Sequence, residues 1–501
     1  MDRHVAEVKK ISSIIKKFGD GKEAYRIHHG STNSTRPQRA HGRVVDISAL
    51  SNILSVDRTA LTATVEPNVP MDRLVEATMA EGLIPPVVME FPGITTGGGF
   101  AGTGGESSSF RHGFFDENVN WVEIILGNGD VVRASPTERA DLFRGAAGAV
   151  GTLGTVTLLE LRLTEAKRYV KTTYHRTSSV DKAIAKVGEE TGCPENDFVD
   201  GILFAPDHGV VITGCLTDEK PDEEPVVRFS GRRDPWFYLH VQERTRSADS
   251  GPVDYVPLPE YLFRYDRAGF WVARSGFTYF PFMPFSRVMR WLLDDFMHTR
   301  MLYRALHASG ESSRFVIQDL ALPYSTASSF IDYTVQNFNI WPLWLCPLRR
   351  TSPPTFHPFT TMPGGREETE MLNIGVWGWG PKDRHEFVAK NRELEERVRQ
   401  LGGMKWLYAH TYYTEEEFWN VYDQEWYGGL REKYHAGSLP TVYDKVKVDT
   451  EARREELHNW RQSAKSHWPV GGVWGVWKAW RSRDYHLHRN ARWNKPSFVQ
   501  A

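Results

Sequence analysis

The first 165 residues alternate short β-branched and aliphatic runs with longer amphipathic stretches. Runs rich in Val, Ile and Thr at 43–48, 52–56 and 61–67 are separated by turn residues, which predicts three short strands. Two further runs, "WVEIIL" and "VVRA", flank Asn128-Gly129, a pair that favours a tight β-hairpin. Residues 151–163, "GTLGTVTLLELRL", predict the strand that closes this unit.

Helical periodicity appears at both ends of the chain. An amphipathic helix is predicted over the first 19 residues from apolar Val5, Val8, Ile11, Ile15 and Phe18. A second helix starts at Pro70 and ends at Gly82, and a third is expected from Ser135, with Pro136 in its first turn and Glu138 closing a capping box. Later helices are indicated by the stripe Phe387, Leu394, Val398, Leu401 and by the capping pair Thr414 and Glu417.

From residue 166 the pattern changes to long aromatic segments broken by proline, such as "PWFYLHVQERT", "FTYFPFMPF" and "IWPLWLCPL". We interpret residues 166–447 as a second domain that encloses an apolar ligand. The alternative is ordinary core packing, which suffices for any single aromatic residue. Together with an N-terminal domain over 1–165 and an extension over 448–501, this gives three predicted regions.

Composition excludes several classes of protein. Cys193, Cys215 and Cys346 are widely spaced, without C-x-x-C spacing, so neither a disulfide framework nor a metal site is predicted. The longest apolar runs fall well short of the roughly 18 residues of a transmembrane helix, and no signal peptide is visible. We therefore expect a protein on the cytosolic side of the cell.

The net charge of −2 hides a basic C-terminal segment. From Glu451 onward there are ten Lys or Arg against four Asp or Glu, together with six of the seventeen tryptophans. Interleaved Trp and basic residues suit a membrane interface. A nucleic-acid surface would have a similar charge pattern, and the third alternative is a segment that packs its tryptophans onto the protein body. We expect no nucleic-acid partner and peripheral membrane contact through this tail.

The stretch "PGITTGGGFAGTGGESSS" contains seven glycines between Gly93 and Gly105. Such bare backbone is typical of loops that approach an anionic cofactor. Gly97, Gly99 and Gly102 have dinucleotide-fold spacing, but prolines precede them and no periodic helix follows, which disfavours a Rossmann fold. No Lys-Ser or Lys-Thr follows the glycines, so a P-loop is excluded.

Several uncommon peptides carry a resemblance to a known family. "VDIS", "VEPNVPMDRLVEATMAEGL", "TTGGGFAGTGGESSSFRHG", "GNGDVV" and "GTLGTVT" together resemble the FAD-binding domain of the vanillyl-alcohol-oxidase, or PCMH, type. "GTGGESSSFRHGFF", "VIQDLALP", "IWPLWLCPL", "EEFWNVYD" and "LPTVYDKV" resemble the Δ24-sterol reductases, from about residue 20 to about residue 447. The resemblance implies an α+β fold, in which a two-subdomain PCMH-type FAD-binding domain precedes a mixed α+β substrate (cap) domain.

The resemblance also implies which residues contact FAD. The glycine-rich loop would wrap its diphosphate and flavin, with backbone N–H groups and the hydroxyls of Thr95, Thr103, Ser107 and Ser108 as donors. The implied residues of this loop are Thr95, Thr96, Gly97, Gly98, Gly99, Phe100, Ala101, Gly102, Thr103, Gly104, Gly105, Glu106, Ser107 and Ser108. The others are His28, His29, Gly30, Ser31, Thr32 and Asn33, followed by Gly151, Thr152, Gly154 and Val156. Some relatives bond FAD through a histidine where this chain has Gly30, so non-covalent FAD is expected.

The implied reaction is reduction of the sterol C24–C25 double bond, by hydride from NADPH through flavin N5 and a proton from a tyrosine. An isolated alkene has no carbonyl to polarise, so the site needs a positioned acid and an apolar pocket. In "WLYAHTYY", Tyr408, His410 and Tyr412 would share one face of a strand. Tyr408 is the preferred acid, and simple packing is the alternative role for each.

Three departures from the family qualify this prediction. Its members commonly begin with a membrane-spanning segment, which is not seen here; the Trp-rich tail is outside the family pattern; and an acidic residue is expected at His410. We expect association with the endoplasmic reticulum membrane on its cytosolic side, or a cytoplasmic location. No second dinucleotide motif is found for NADPH, although Arg349 and Arg350 are candidates for its phosphates.

Two other functions remain open at this point. One is a flavin oxidase or dehydrogenase of the same fold that acts on another lipid or terpenoid, because fold does not determine substrate. The other is a non-catalytic sterol-binding or membrane-scaffolding protein that keeps FAD as a structural element.

Overall fold

A computed structural model describes residues 1–30, 43–247, 251–361, 370–448 and 468–499. The elements of the N-terminal region, in chain order, are α1 (Asp2–Asp20), β1 (Tyr25–His28), β2 (Arg43–Asp46), β3 (Ile53–Asp57), β4 (Thr62–Val65), α2 (Met71–Met79), β5 (Leu83–Ile84), α3 (Thr96–Ala101), α4 (Ser109–His112), β6 (Val119–Ile125), β7 (Val131–Ala134), α5 (Ala140–Ala146), β8 (Thr155–Arg162) and β9 (Thr164–Glu165).

The chain continues through β10 (Tyr169–Thr177), α6 (Val180–Thr191), β11 (Phe198–Ala205), β12 (His208–Thr217), α7 (Phe237–Arg244), β13 (Val253–Pro257), α8 (Leu258–Leu262), α9 (Ala273–Tyr279), α10 (Arg287–Leu292), α11 (Thr299–Ser309), β14 (Phe315–Leu322), α12 (Tyr324–Asn337), β15 (Leu343–Arg349), β16 (Glu370–Trp379), α13 (Arg384–Gln400), β17 (Met404–Lys405), α14 (Glu415–Val421), α15 (Gln424–Lys433), α16 (Val442–Val446), α17 (Val470–Ser482), α18 (Tyr485–Asn490) and α19 (Pro496–Val499). Short 3₁₀ turns lie at Asp116–Asn118, Asp294–Met297, Glu311–Ser313 and Ala436–Ser438.

The fold is α+β, as predicted, and it is built on two large sheets. The N-terminal region contains the parallel pair β1-β2 and a five-stranded antiparallel sheet in the order β3-β4-β8-β6-β7. The second sheet is antiparallel and has eight strands, in the order β13-β10-β12-β11-β15-β16-β14-β17. Strands β5 and β9 form a separate pair.

Most elements predicted in the N-terminal region are confirmed. The three early strands are β2, β3 and β4, and the Asn128-Gly129 turn joins β6 to β7 with Ile125 opposite Val131. Helix α1 buries Val8, Ile11 and Ile15, which fall on one face at helical spacing. In the second half, α13 buries Phe387, Leu394 and Val398, and Thr414 and Glu417 form the expected capping box of α14.

Three local predictions were wrong. The helix expected from Ser135 starts at Ala140, because the Ser135 hydroxyl closes a turn onto the amides of Thr137 and Glu138 and Arg139 then adopts a left-handed φ of 48°. The glycine-rich loop contains the short helix α3, which Thr95 caps. Finally, the segment that carries Tyr408 is a turn after the two-residue strand β17.

The C-terminal segment packs on the second half of the chain. Trp493 lies with its ring centroid 4.9 Å from that of Phe263, and His488 stacks on His298 at 3.7 Å. Packing of a tryptophan onto the body is therefore correct for Trp493, whereas Trp468, Trp477 and Trp480 are exposed and Trp460 lies outside the described residues. Across the described ranges, no helix combines the length and the apolar character needed to cross a membrane. The same residues contain no cluster of His, Cys, Asp or Glu that could hold a metal ion, and the three cysteines are free.

Candidate active site

A cavity of about 650 Å³ lies between the glycine-rich loop and the eight-stranded sheet. One end is formed by backbone of the N-terminal region. The other end is formed by α9, α11 and the central strands β14, β15 and β16, which contribute aromatic residues. Its size falls in the usual range for small-molecule sites.

The glycine-rich loop forms one wall of the cavity. Its lining residues are Thr95, Gly97, Gly98, Gly99, Ala101, Gly102, Gly104 and Gly105. Close packing within the protein also requires glycine at two of these positions. A methyl group on Gly97 would lie 2.7 Å from Pro67 Cβ, and one on Gly99 would lie 2.9 Å from the Phe115 ring. The bare backbone therefore serves close packing as well as access to a ligand.

The expectation that glycine N–H groups point at a ligand was wrong for most of this loop. The amides of Gly97, Gly98, Gly99, Gly102 and Gly104 donate to protein oxygens at 2.8 to 3.2 Å. Thr95 and the turns of α3 accept from Gly98, Gly99, Gly102 and Gly104, and the Pro67 carbonyl accepts from Gly97. The loop therefore contributes mainly backbone atoms to the cavity wall.

Several residues predicted at the cofactor do not line the cavity. Thr96, Phe100, Thr103, Glu106, Ser107 and Ser108 point into the protein. Thr103 and Ser108 donate to backbone carbonyls, and Thr96 donates to the carbonyl of Glu66. Glu106 faces Arg264, with 3.7 Å between the charged atoms, and the Ser107 hydroxyl accepts from the same guanidinium. These polar groups hold the loop in place.

The second predicted cofactor segment follows β1. Because side chains alternate along a strand, Ile27 and His29 line the cavity and His28 does not. Gly30 has a φ of +71°, and it is not among the lining residues. Ser31, Thr32 and Asn33 lie outside the described residues.

The third predicted segment lies between α5 and β8. Gly151, Gly154 and Val156 line the cavity, whereas Thr152 donates to the carbonyl of Ala149 and accepts from Tyr427. The Thr155 hydroxyl is buried at the cavity wall and has no hydrogen-bond partner among the described residues.

Lys445 of α16 lines this end of the cavity. Its ammonium group donates to the carbonyl of Val150 and lies 3.5 Å from the position of a methyl group on Gly151, which has a φ of +76°. A lysine, an unpartnered hydroxyl and exposed glycine backbone are suited to a cofactor that carries a diphosphate. The residues present therefore fit FAD.

The centre of the cavity contains a tyrosine–carboxyl pair. Tyr408 donates its hydroxyl hydrogen to Asp319, and Asp319 also accepts from Asn373 at 3.0 Å and from the Trp377 indole at 3.3 Å. Burial raises the pKa of Asp319 to about 6, although these three donors oppose the shift. Burial and the nearby Asp319 raise the pKa of Tyr408 well above its ordinary value.

His410 and Tyr412 do not join Tyr408 in the cavity, so the prediction of one shared face was wrong. The carbonyl of His410 accepts from the Lys405 ammonium, and the amide of Tyr412 donates to Glu395 at 3.0 Å. These bonds to the buried Lys405–Glu395 ion pair, at 2.6 Å, close the segment into a turn. The Tyr412 ring packs against Phe387, outside the cavity.

Two more titratable residues line the cavity near this pair. Burial, followed by the Glu106 and Asp319 carboxylates, raises the pKa of Glu90 well above its ordinary value. Burial, Glu90 and Asp319 also raise the pKa of Tyr303. Three carboxyl residues, Glu90, Glu311 and Asp319, line the cavity, and burial raises the pKa of both Glu90 and Asp319.

Aromatic side chains surround these polar groups. Phe270 contacts Trp377 and Trp344, with ring centroids 4.4 and 5.1 Å apart, and all three line the cavity. Trp406 lines it as well and donates to the carbonyl of Thr103 at 3.0 Å, which joins the cavity centre to the glycine-rich loop. The arrangement suits an apolar substrate that develops positive charge.

Sequence reasoning missed Asp319, Glu90 and Lys445. Each of the two carboxyl residues is the only acidic residue in an apolar run, "FVIQDLALP" and "PPVVMEFPG", and an isolated carboxylate in such a run signals a buried polar site. Lys445 had no comparable signal, since the fold alone brings α16 to the segment before β8.

Comparison with known proteins identifies relatives of this chain. Residues 3–135 match the family model described as "FAD binding domain". The human Delta(24)-sterol reductase is 32% identical over 408 residues, which cover 79% of this chain and 76% of the human protein. The Delta(24)-sterol reductase of Arabidopsis thaliana is 28% identical, with 83% and 79% covered, and a homologue from Caenorhabditis elegans is 26% identical, with 88% and 87% covered.

Proposed function

The chain belongs to the Delta(24)-sterol reductase family and carries an FAD-binding domain, and we propose that it reduces the C24–C25 double bond of a sterol side chain with NADPH as reductant. The observation that supports this most directly is the Tyr408–Asp319 pair inside a cavity lined mainly by apolar and aromatic residues. A methyl group on Gly102 of the glycine-rich loop would lie 3.9 Å from Tyr408 Cβ, so the pair adjoins the cofactor end.

The chain's own residues hold the cofactor in this proposal. Gly97, Gly98, Gly102 and Gly151 present backbone to FAD, and Lys445 supplies positive charge to its diphosphate. The binding is non-covalent, because the chain has Gly30 where some relatives have the linking histidine. The chemistry that FAD supplies when bound is hydride transfer to one carbon of the double bond.

Tyr408 gives the proton to the other carbon. Its raised pKa keeps the hydroxyl protonated at neutral pH. When Asp319 is itself protonated, its hydroxyl donates to the Tyr408 oxygen and leaves the Tyr408 hydrogen free to turn into the cavity. Asp319 is therefore a positioning residue, and the aromatic rings exclude water and tolerate the positive charge that develops on carbon.

NADPH has no separate site in the proposal and visits the same cavity before the sterol. Arg349 lies 3.5 Å from Glu117, and Arg350 donates to the carbonyl of Thr360 at 3.1 Å. Both side chains thus have protein partners, and their contact with NADPH phosphates stays a prediction.

We also propose that the FAD-binding domain ends near residue 165 and that the substrate domain extends to about residue 447. In support, β9 pairs with β5 of the N-terminal region, whereas β10, the next strand, joins the eight-stranded sheet.

Anaerobic mixing of the FAD-loaded protein with NADPH tests whether the protein uses FAD and NADPH as proposed. The proposal predicts rapid bleaching of the flavin absorbance, followed by reoxidation on addition of a Δ24-sterol. Peroxide release with oxygen and no reoxidation by the sterol would instead favour an oxidase. An absence of bleaching would favour a non-catalytic role.

A further inference from the structure

Exposed large apolar residues are concentrated in two segments of the described chain. Of the eighteen such residues, twelve lie between Phe282 and Leu292 or between Trp468 and Leu487. Scattered apolar residues are normal on a surface, but a concentrated patch marks an interaction site. We define the apolar rim as Phe282, Val473, Val476, Trp477 and Trp480.

Helix α17 is apolar on both of its faces. Gly472, Gly475 and Ala479 face the body, where a methyl group on Gly475 would lie 2.5 Å from the Ala305 carbonyl oxygen. On its outer face, Val473 is 58% exposed and Trp480 is 56% exposed. Exposed apolar side chains of this size mark an interaction surface, and nothing in the described part of the chain covers this outer face.

The rim lies at the mouth of the active-site cavity. Phe282, Val473 and Val476 line the cavity and are also exposed to the outside, Phe282 by 70%. The two segments meet here, because Gly472 packs against the Tyr279 and Phe280 rings and the Trp468 indole donates to the Tyr279 carbonyl at 2.8 Å. The cavity therefore opens at an apolar surface.

The charged residues of the two segments that form the rim are all basic, and Glu311, which lines the cavity beside Tyr279, is paired with Arg314 at 3.2 Å. Residues 270–293 and 468–483 contain six basic residues and no Asp or Glu: Arg274, Arg287, Arg290, Lys478, Arg481 and Arg483. The Lys478 ammonium lies 5.2 Å from the Trp474 ring and the Arg481 guanidinium 5.2 Å from the Trp477 ring.

The acidic residues next to these segments are paired within the protein. Asp294 binds Arg267 at 2.8 Å, Asp295 binds His488 at 3.0 Å, and Asp484 binds Arg304 at 2.6 Å. Tryptophan and basic residues around an apolar face match the interface of a bilayer that contains anionic lipid.

We propose that the apolar rim docks on an anionic lipid bilayer and that the cavity opens into the bilayer there, so that the apolar substrate enters directly from lipid. The docking half stands on the exposed residues and their charges alone. The entry half rests on the proposed function, because it assumes an apolar lipid substrate.

Vesicle co-sedimentation tests the docking half without any activity. The FAD-loaded protein should sediment with vesicles of phosphatidylcholine and phosphatidylserine, and less with phosphatidylcholine alone. Trp477→Glu with Trp480→Glu should lower the partition coefficient by about tenfold or more, as should Lys478→Glu with Arg481→Glu. The matched control is Val131→Glu with Val226→Glu, which places two carboxylates at exposed apolar positions elsewhere and should bind like the wild type.

Two results would overturn the docking half. One is equal vesicle binding by the wild type and the Trp477/Trp480 double variant. The other is a wild-type dimer in sedimentation velocity that the same variant converts to monomer while vesicle binding stays unchanged, since the rim would then be an interface between copies.

Sterol delivery tests the entry half. With sterol presented in vesicles, the Trp477/Trp480 variant should turn over about tenfold more slowly than the wild type, whereas with sterol carried by cyclodextrin the two should be equal. If the variant turned over sterol more slowly than the wild type by the same factor in both assays, entry of the sterol from the bilayer would be contradicted. If the wild type turns over no sterol in both assays, the proposed function is refuted, and so is entry of the substrate from the bilayer. Vesicle co-sedimentation would still show whether the rim docks on a bilayer.

Discussion

Tyr408 donates its hydroxyl hydrogen to Asp319, 89 positions earlier in the chain, where β14 passes under the cavity. The amide of Trp406 donates to the backbone carbonyl of Asp319 at 3.1 Å, which fixes the turn that carries Tyr408 against the strand. A phenol is thus held on a buried carboxyl group, and both residues line the cavity.

Replacement of Tyr408 by Phe removes the proposed proton donor and keeps the ring. We expect FAD to remain bound and NADPH to bleach it, while sterol reduction slows by about 10²- to 10⁴-fold. Tyr412→Phe is the matched control, because Tyr412 packs outside the cavity, and it should reduce sterol at the wild-type rate. Full turnover by Tyr408→Phe would rule out its assigned role.

Asp319→Asn tests the positioning role through pH. Since burial raises the pKa of Asp319 to about 6, the wild-type rate of sterol reduction should fall as pH rises through about 6, where the carboxyl loses its proton. The variant cannot ionise, so its slower rate should lack this step. Rate measurements between pH 5 and pH 8 would give parallel profiles if Asp319 were only structural.

The same substitution has a predicted effect on stability. The folded-state pKa of Asp319 is raised from 3.8 to about 6, so the native state binds the proton more tightly than the unfolded state. The wild type should therefore lose about 3 kcal/mol of unfolding free energy as pH rises from about 4 through about 6, and Asp319→Asn should not. Denaturant titrations at several pH values measure the difference, and identical pH slopes would contradict the raised pKa.

The stacked histidines predict how the C-terminal segment responds to pH. Burial opposes a charge on His298, but Asp266 and Asp294 outweigh it and raise its pKa to about 9; burial and charged His298 lower the pKa of His488 to about 4. Stability from His298 is complete below about pH 6.5 and is lost as pH rises through about 9. Stability linked to neutral His488 is lost as pH falls from about 6.5 to about 4.

Hydrogen exchange along α18 checks this response. Protection of Tyr485–Asn490 should decrease between about pH 6.5 and about pH 4 in the wild type, and His488→Gln should remove that decrease. Exchange that shows the same pH dependence in both proteins, after correction for intrinsic rates, would exclude His488 as the cause.

Lys445→Gln tests the diphosphate end of the cavity. Loss of one charged donor should weaken FAD binding by about tenfold or more, measured by flavin fluorescence during dilution. Lys447→Gln is the control, because that exposed lysine pairs with Asp444 at 2.8 Å outside the cavity and should retain wild-type affinity. Equal affinities for all three proteins would place the diphosphate elsewhere.

Gly97→Ala tests whether the glycine-rich loop is packed against the protein. The added methyl would lie 2.7 Å from Pro67 Cβ and 3.0 Å from its carbonyl oxygen, so unfolding free energy should drop by about 1–3 kcal/mol. Gly428→Ala, in α15 with nothing within 4 Å, should instead be stabilising by about 0.5–1 kcal/mol. A stable Gly97→Ala protein that has lost FAD would mean that the glycine serves the ligand alone.

Local signals in the sequence predicted the elements whose partners are near in the chain. The Asn128-Gly129 hairpin, the apolar face of α1 and the Thr414 cap depend on residues within a few positions, and all three are confirmed. Ser135 was misleading because its side chain can close a turn as readily as it caps a helix.

The site was less accessible to such reasoning, because its polar contacts are long-range. Asp319 meets Tyr408 only through the pairing of β14 with β16 and β17, and Lys445 reaches Val150 across 295 positions. Alternation suggested that His410 and Tyr412 accompany Tyr408, but the buried Lys405–Glu395 pair bends that segment into a turn. Tertiary contacts here override a local pattern.

Product analysis tests the central proposal most directly. The FAD-loaded protein, its Tyr408→Phe variant and its Tyr412→Phe variant are each incubated with NADPH and desmosterol, and the sterol is analysed by mass spectrometry. We predict a gain of two hydrogens at the side chain with the wild type and Tyr412→Phe, and unchanged desmosterol with Tyr408→Phe. Unchanged sterol with the wild type, although NADPH bleaches its flavin, would contradict reduction of this double bond.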